Sequence, residues 1–105
     1  MSSLIHIVMW RFTGASPELR AAQAQQVTEA LLAMRGQVPG LLELKAGPQV
    51  AGNADWDLAL YTAFSDAKAL AAYKAHPLHE QVVALVKPIR AARAEVDFWA
   101  PGPPA

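Results

Sequence analysis

The strand that the sequence predicts at residues 4–12 is apolar on both of its faces. The segment is rich in β-branched and aromatic side chains, as strands are. Because side chains alternate across a strand, His6 and Trp10 lie on one apolar face and Ile7 lies on the other. Helices can cover only one face of such a sheet. We therefore expect a second copy of the chain to cover the other face, with a mildly apolar monomer as the alternative.

Helix and turn signals divide the rest of the chain. Ser16, Pro17 and Glu18 are typical of a helix start, since they supply a hydroxyl cap, a proline at the first position and an early acidic group. Pro77 interrupts a later helical segment, because the residue before a proline disfavours the helical conformation. We predict strands at about 4–12, 41–46, 55–64 and 93–99 and helices at about 17–35, 66–75 and 78–86.

The resulting order, β-α-β-β-α-β, is typical of a ferredoxin-like α+β fold, in which a four-stranded antiparallel sheet carries its helices on one face. Two such sheets packed face to face form a dimeric α/β-barrel. The chain of 105 residues has room for one domain. We place that domain at residues 1–100 and expect a flexible Pro/Gly tail at 101–105.

Composition limits the classes of function. Hydrophobic residues make up 53% of the chain and charged residues 17%, which indicates a folded, core-rich protein. Nine basic residues balance nine acidic ones, so no net positive charge attracts nucleic acid or a membrane surface. The absence of cysteine excludes disulfides and thiolate chemistry, and we expect no metal and no cofactor. Without a signal peptide or transmembrane segment in the sequence, we expect a cytoplasmic protein.

Four short segments carry a family resemblance. They are His6–Phe12, Val38–Gly40, Tyr73–His79 and Val96–Phe98. The third is the most specific, because a His-Pro-x-His element follows a tyrosine. Together they resemble the stress-responsive A/B barrel domain family, a branch of the dimeric α+β barrels. The resemblance extends over residues 4–99 and implies a ferredoxin-like monomer and a barrel-shaped homodimer.

The resemblance also bears on function. Most members of the family have no assigned activity, but plant olivetolic acid cyclase is a cofactor-free relative that closes a polyketide by aldol condensation. Its general base, its supporting tyrosine and its strand-one histidine correspond by position to His79, Tyr73 and His6. Leu58 stands where the cyclase has a further histidine, so the resemblance implies a more apolar pocket here.

The histidines are also candidates on chemical grounds. Imidazole exchanges protons near neutral pH, and a position in the first turn of a helix favours the neutral ring of His79. If Tyr73 and His6 face it, the three side chains share one pocket. An apolar cavity with a few polar groups is typical of a small-molecule site. The predicted walls of this pocket are Trp10, Leu58, Leu60 and Phe98.

Two functions follow as hypotheses. The protein is a binding module for a small hydrophobic molecule, or it is a cofactor-independent enzyme of polyketide cyclase, isomerase or monooxygenase type. In the enzyme, His79 acts as general base, Tyr73 supports it and His6 polarises a carbonyl group. The structural alternative is that His6 is a core histidine and that His76 bonds the free carbonyls of a helix end. The basic residues of segment 87–93 favour a solvated surface, with an anion site as the alternative.

Overall fold

Strands and helices follow the predicted order. The computed structural model describes residues 2–52 and 55–101. Within these residues the strands are β1 (Ser2–Phe12), β2 (Leu41–Pro48), β3 (Leu58–Phe64) and β4 (Arg90–Pro101), and the helices are α1 (Pro17–Leu32), α2 (Ala67–Ala75) and α3 (Pro77–Val86), with a 3₁₀ turn at Lys87–Ile89. The first residue of the predicted tail, Pro101, ends β4, and residues 102–105 lie outside the described residues.

The strands form one antiparallel sheet in the order β2-β3-β1-β4. Because β1 and β3 occupy the centre, they supply most of the sheet residues in the core. The order and the helix positions confirm the predicted ferredoxin-like α+β fold. Among the described residues, none of the helices combines the length and the apolar character needed to cross a membrane.

Local signals account for the helix boundaries. Ser16 Oγ accepts a 3.1 Å hydrogen bond from the backbone N–H at the third position of α1, and Asp66 Oδ1 accepts one of 2.8 Å at the same position of α2. The first helix ends at Leu32, earlier than the predicted end near residue 35. The chain tightens into turns after Leu32 and reaches Gly36 with φ of 72°, a conformation that favours glycine.

His76 lies at the break between α2 and α3. Its Nδ1 atom accepts a 3.1 Å hydrogen bond from the backbone N–H of Leu78, so the ring caps the start of α3. His76 therefore has a structural role at a helix end, and the hydrogen bond comes from a backbone N–H of the following helix rather than going to the carbonyls of the preceding one. Pro77 occupies the first position of α3, where its missing N–H costs no helical hydrogen bond. The break turns α3 so that His79 lies beside Tyr73.

The sheet separates a buried face from an outer face. The buried face packs on the helices, and its core includes Leu4, Val8, Trp10, Phe12, Val27, Leu31, Leu58, Leu60, Phe64, Tyr73, Val82 and Val86. The outer face carries Ile7, Val96 and Phe98, of which Val96 and Phe98 keep 56% and 46% of their surface exposed. Both faces of the sheet are therefore apolar, as the alternation along β1 predicts.

Candidate functional site

A cavity of about 220 Å³ lies between the buried face of the sheet and the helices. Every helix contributes to it, together with β1, β3 and β4. Its walls are mostly apolar, and three aromatic or imidazole side chains at its surface can exchange or donate protons. The lining residues are His6, Val8, Trp10, Leu31, Leu60, Tyr73, His79, Val82, Val83, Val86, Arg90 and Arg93. The structure thus brings His6, Tyr73 and His79 together in one cavity.

Tyr73 and His79 form the closest pair among these rings. Their ring centroids are 4.7 Å apart, and the centroid of Tyr73 lies 6.2 Å from that of His6. The helix break at Pro77 allows this contact, since Tyr73 lies in the last turn of α2 and His79 lies in the first turn of α3. Burial raises the pKa of Tyr73 to about 12, with the charge of Arg93 acting in the opposite direction. Tyr73 therefore keeps its proton at neutral pH and remains a hydrogen-bond donor.

His79 is held in its neutral form. Burial lowers its pKa from the ordinary value, the backbone of Lys74 opposes this, and the charges of His6, Arg93 and Lys74 lower it further. The Nδ1 atom of the ring is buried and has no hydrogen-bond partner among the described residues. A neutral imidazole with an unpaired nitrogen beside a cavity can accept a proton from a bound molecule.

His6 is oriented by carboxylates on β4. It is only 1% exposed, and its Nδ1 atom lies 2.6 Å from Asp97 Oδ1 and 3.4 Å from Glu95 Oε2. The register of the sheet explains the first contact, because Asp97 lies directly opposite His6. So short a contact with a carboxylate favours a proton on Nδ1. Sequence reasoning assigned no role to Asp97, and its only signal was its place in a segment shared with the family.

Glu95 connects this pair to basic side chains. It accepts hydrogen bonds from Arg93 at 2.8 Å and from Lys74 at 3.3 Å. Burial acts to raise the pKa of Glu95, but the hydrogen bonds from Arg93 and Lys74 outweigh it and hold the pKa below its ordinary value. Glu95 is therefore ionised and partnered at neutral pH.

The same carboxylates raise the question of a metal site. Ligand atoms of His6, Glu95 and Asp97 all lie within 4.8 Å of one another. The 2.6 Å contact between His6 and Asp97 is a hydrogen bond, and Glu95 already pairs with two cations. The three side chains therefore form a charge network that positions His6. This arrangement fits their contacts better than a metal-binding site does.

Of the four predicted pocket walls, two line the cavity and two lie elsewhere. Trp10 and Leu60 line the cavity. Leu58 is buried in the core at 1% exposure but lies outside the lining set. Phe98 lies on the outer face, away from the cavity, because it pairs with Ile5 in the sheet and side chains alternate across β4. Walls that sequence reasoning missed include Val82, Val83 and Val86 of α3.

Solved structures share this fold. A dimeric protein of unknown function from Bacteroides fragilis has a TM-score of 0.82 at 23% identity, covering 91% of this chain and 94% of its own. A dimeric ferredoxin-like protein of unknown function from Thermobifida fusca has a TM-score of 0.78 at 26% identity, covering 92% and 90%. A hydroxynitrile lyase from Passiflora edulis has a TM-score of 0.75 at 16% identity, covering 93% of each chain. No curated protein matches the chain.

The sequence itself matches a known family. The family model for the stress responsive A/B barrel domain matches residues 4–100. That range contains every helix, nearly all of the sheet and all the residues that line the cavity. The match confirms the resemblance seen in the four sequence segments. The chain belongs to the stress responsive A/B barrel domain family.

Proposed function

We propose that the protein binds a small hydrophobic molecule in the cavity and that His79 removes a proton from it without the help of a cofactor. One observation carries this proposal: His6, Tyr73 and His79 converge on a single, mostly apolar cavity. Apolar walls exclude water from a bound molecule, while His79 supplies a proton acceptor and Tyr73 supplies a hydrogen-bond donor. That combination is typical of sites for acid–base chemistry on small molecules.

The proposed step moves one proton. A C–H bond next to a carbonyl group breaks, its proton passes to His79, and its electrons form an enolate. The Tyr73 hydroxyl, which its raised pKa keeps protonated, donates a hydrogen bond to the enolate oxygen. His6, which Asp97 holds through Nδ1, lines the same cavity and polarises the carbonyl group of the bound molecule. A positioned base of this kind contributes about 10²–10⁴-fold to a rate.

The outer face of the sheet supports a homodimer. Val96 and Phe98 keep large apolar areas exposed there, and the similar proteins from Bacteroides fragilis and Thermobifida fusca are dimeric. We propose that two copies pack through these faces to form a barrel. The cavity lies on the opposite face of the sheet, so each protomer would keep a complete site.

A solved structure of the same fold is an enzyme, which supports the proposal that this protein catalyses a reaction. The hydroxynitrile lyase from Passiflora edulis shows that the fold is compatible with catalysis, although its 16% identity concerns the fold alone. Two features of His79 support proton transfer. Its pKa is lowered, and its Nδ1 atom has no hydrogen-bond partner among the described residues.

Hydrogen–deuterium exchange tests the proposal. A panel of small aromatic and aliphatic ketones is incubated with the protein in deuterated buffer, and loss of the α-proton signal is followed by NMR. We expect exchange with the native chain, strong loss in His79→Gln and partial loss in Tyr73→Phe. His76→Asn is the matched control, because it removes another imidazole while keeping a side chain that caps α3.

Three results would count against the proposal. Equal exchange in the native chain and His79→Gln would remove the base from the mechanism. Binding of the ketones in the cavity, seen as shifts of the Tyr73 and His79 resonances, with no exchange at all would make the protein a binding module. Failure of every compound to perturb those resonances would contradict the binding role as well.

A further inference from the structure

The open side of the cavity is basic. Among the lining residues, Val83, Arg90 and Arg93 are exposed, whereas most of the others are buried. They therefore mark the side on which the cavity meets solvent. No acidic residue occurs among the described residues that line it. Two guanidinium groups therefore lie on the exposed side of the cavity.

The charge of Arg90 is not balanced. Arg93 pairs with Glu95 at 2.8 Å, and Asp97 is engaged by His6. Arg90 has no ion pair among the described residues. Since the nearby carboxylates already have partners, the entrance retains a positive charge on Arg90 that no ion pair within the described part of the chain neutralises.

The neighbouring charge of Arg93 acts on the rings inside the cavity. Arg93 contributes to the low pKa of His79 and acts to lower the pKa of Tyr73. Two separate rings thus respond to positive charge at the entrance. A negative group placed between the arginines and the rings would gain energy from the same field.

We propose that the molecule bound in the cavity is a small apolar carboxylate, with its anionic group at Arg90 and Arg93 and its body against Trp10, Val82 and Val86. The proposal rests on the function proposed above, because it assigns a charge to the molecule that His79 acts on. The planar fork of a guanidinium matches a carboxylate with paired hydrogen bonds. A cavity of about 220 Å³ suits a single substituted ring or a short chain, since about 150 Å³ already holds benzene.

Paired probes test the charge directly. Benzoate and 3-phenylpropanoate are titrated into the native protein beside their neutral amides, and binding is followed through the indole N–H signal of Trp10 and the ring signals of His79. We expect the acids to bind about tenfold or more tightly than the amides, because hydrogen bonds to charged groups are the strong ones. Arg90→Gln should remove most of that preference. Lys68→Gln, which removes an exposed charge from α2 away from the cavity, should preserve it.

The outcomes separate this inference from the function itself. Equal affinity for acids and amides, or an acid preference unchanged in Arg90→Gln, overturns the anion site and leaves the cavity as a site for neutral molecules. Binding of the amides alone does the same. If neither acids, amides nor the ketone panel perturbs Trp10 and His79, both the anion site and the proposed function are refuted.

Discussion

Replacing Asp97 tests whether the carboxylate opposite His6 holds that ring in place. In Asp97→Asn the side chain keeps its shape and an acceptor oxygen but loses the charge in the 2.6 Å contact with His6. Hydrogen bonds to charged groups contribute about 1.5–3 kcal/mol. The Asp97 side chain is 34% exposed, so water replaces part of the lost interaction. We therefore expect the free energy of unfolding to fall by about 1–1.5 kcal/mol.

A double-mutant cycle with His6→Gln isolates the contact. Urea unfolding at one fixed protein concentration gives the four free energies, because the stability of a dimer depends on concentration. We expect a coupling of about 1 kcal/mol between the two positions. Glu29→Gln, an exposed carboxylate on α1, serves as the control and should change stability by less than about 0.5 kcal/mol. An Asp97→Asn effect of the same size with and without the His6 ring would refute the reasoning.

Three further predictions concern other parts of the molecule. The lowered pKa of His79 means that, as pH falls below 6.5, the unfolded chain takes up a proton before the folded one, so the native protein should lose stability relative to His79→Gln in acid unfolding curves. Phe98→Glu should convert the proposed dimer to monomers in sedimentation equilibrium, whereas Val50→Glu, at an exposed site in the loop after β2, should not. Ser16→Ala should lower the unfolding free energy by about 1 kcal/mol, measured in urea, because α1 loses its cap.

Much of the fold could be predicted because its signals are local. Three of these signals are the cap at Ser16, the helix break at Pro77 and the run of β-branched and aromatic side chains along residues 4–12. Each one acts within a few residues of the chain. The elements they mark appear in the structure with boundaries shifted by a few residues. The largest shifts are at the end of α1, where the turn before Gly36 begins early, at the start of β3, which begins at Leu58 instead of residue 55, and at the start of β4, which pairs with β1 from Arg90 onward.

The candidate site was only partly accessible to sequence reasoning. The imidazole and phenol chemistry of His6, Tyr73 and His79 identifies them as candidates, and the break at Pro77 sets two of them near each other. Asp97 went unrecognised because a carboxylate on a strand is usually solvated. Its partner is 91 residues away in the chain, and no local pattern connects the two.

Local patterns in the sequence specify the strands, the helices, the two apolar faces and the groups that can transfer protons. Which of those groups meet depends on how the strands pair and the helices pack. The register of β4 against β1 sets Asp97 opposite His6 and sends Phe98 to the outer face, and a shift of one residue would exchange the two faces. Register depends on pairing between the two ends of the chain, so the physical cause is the packing of the whole sheet.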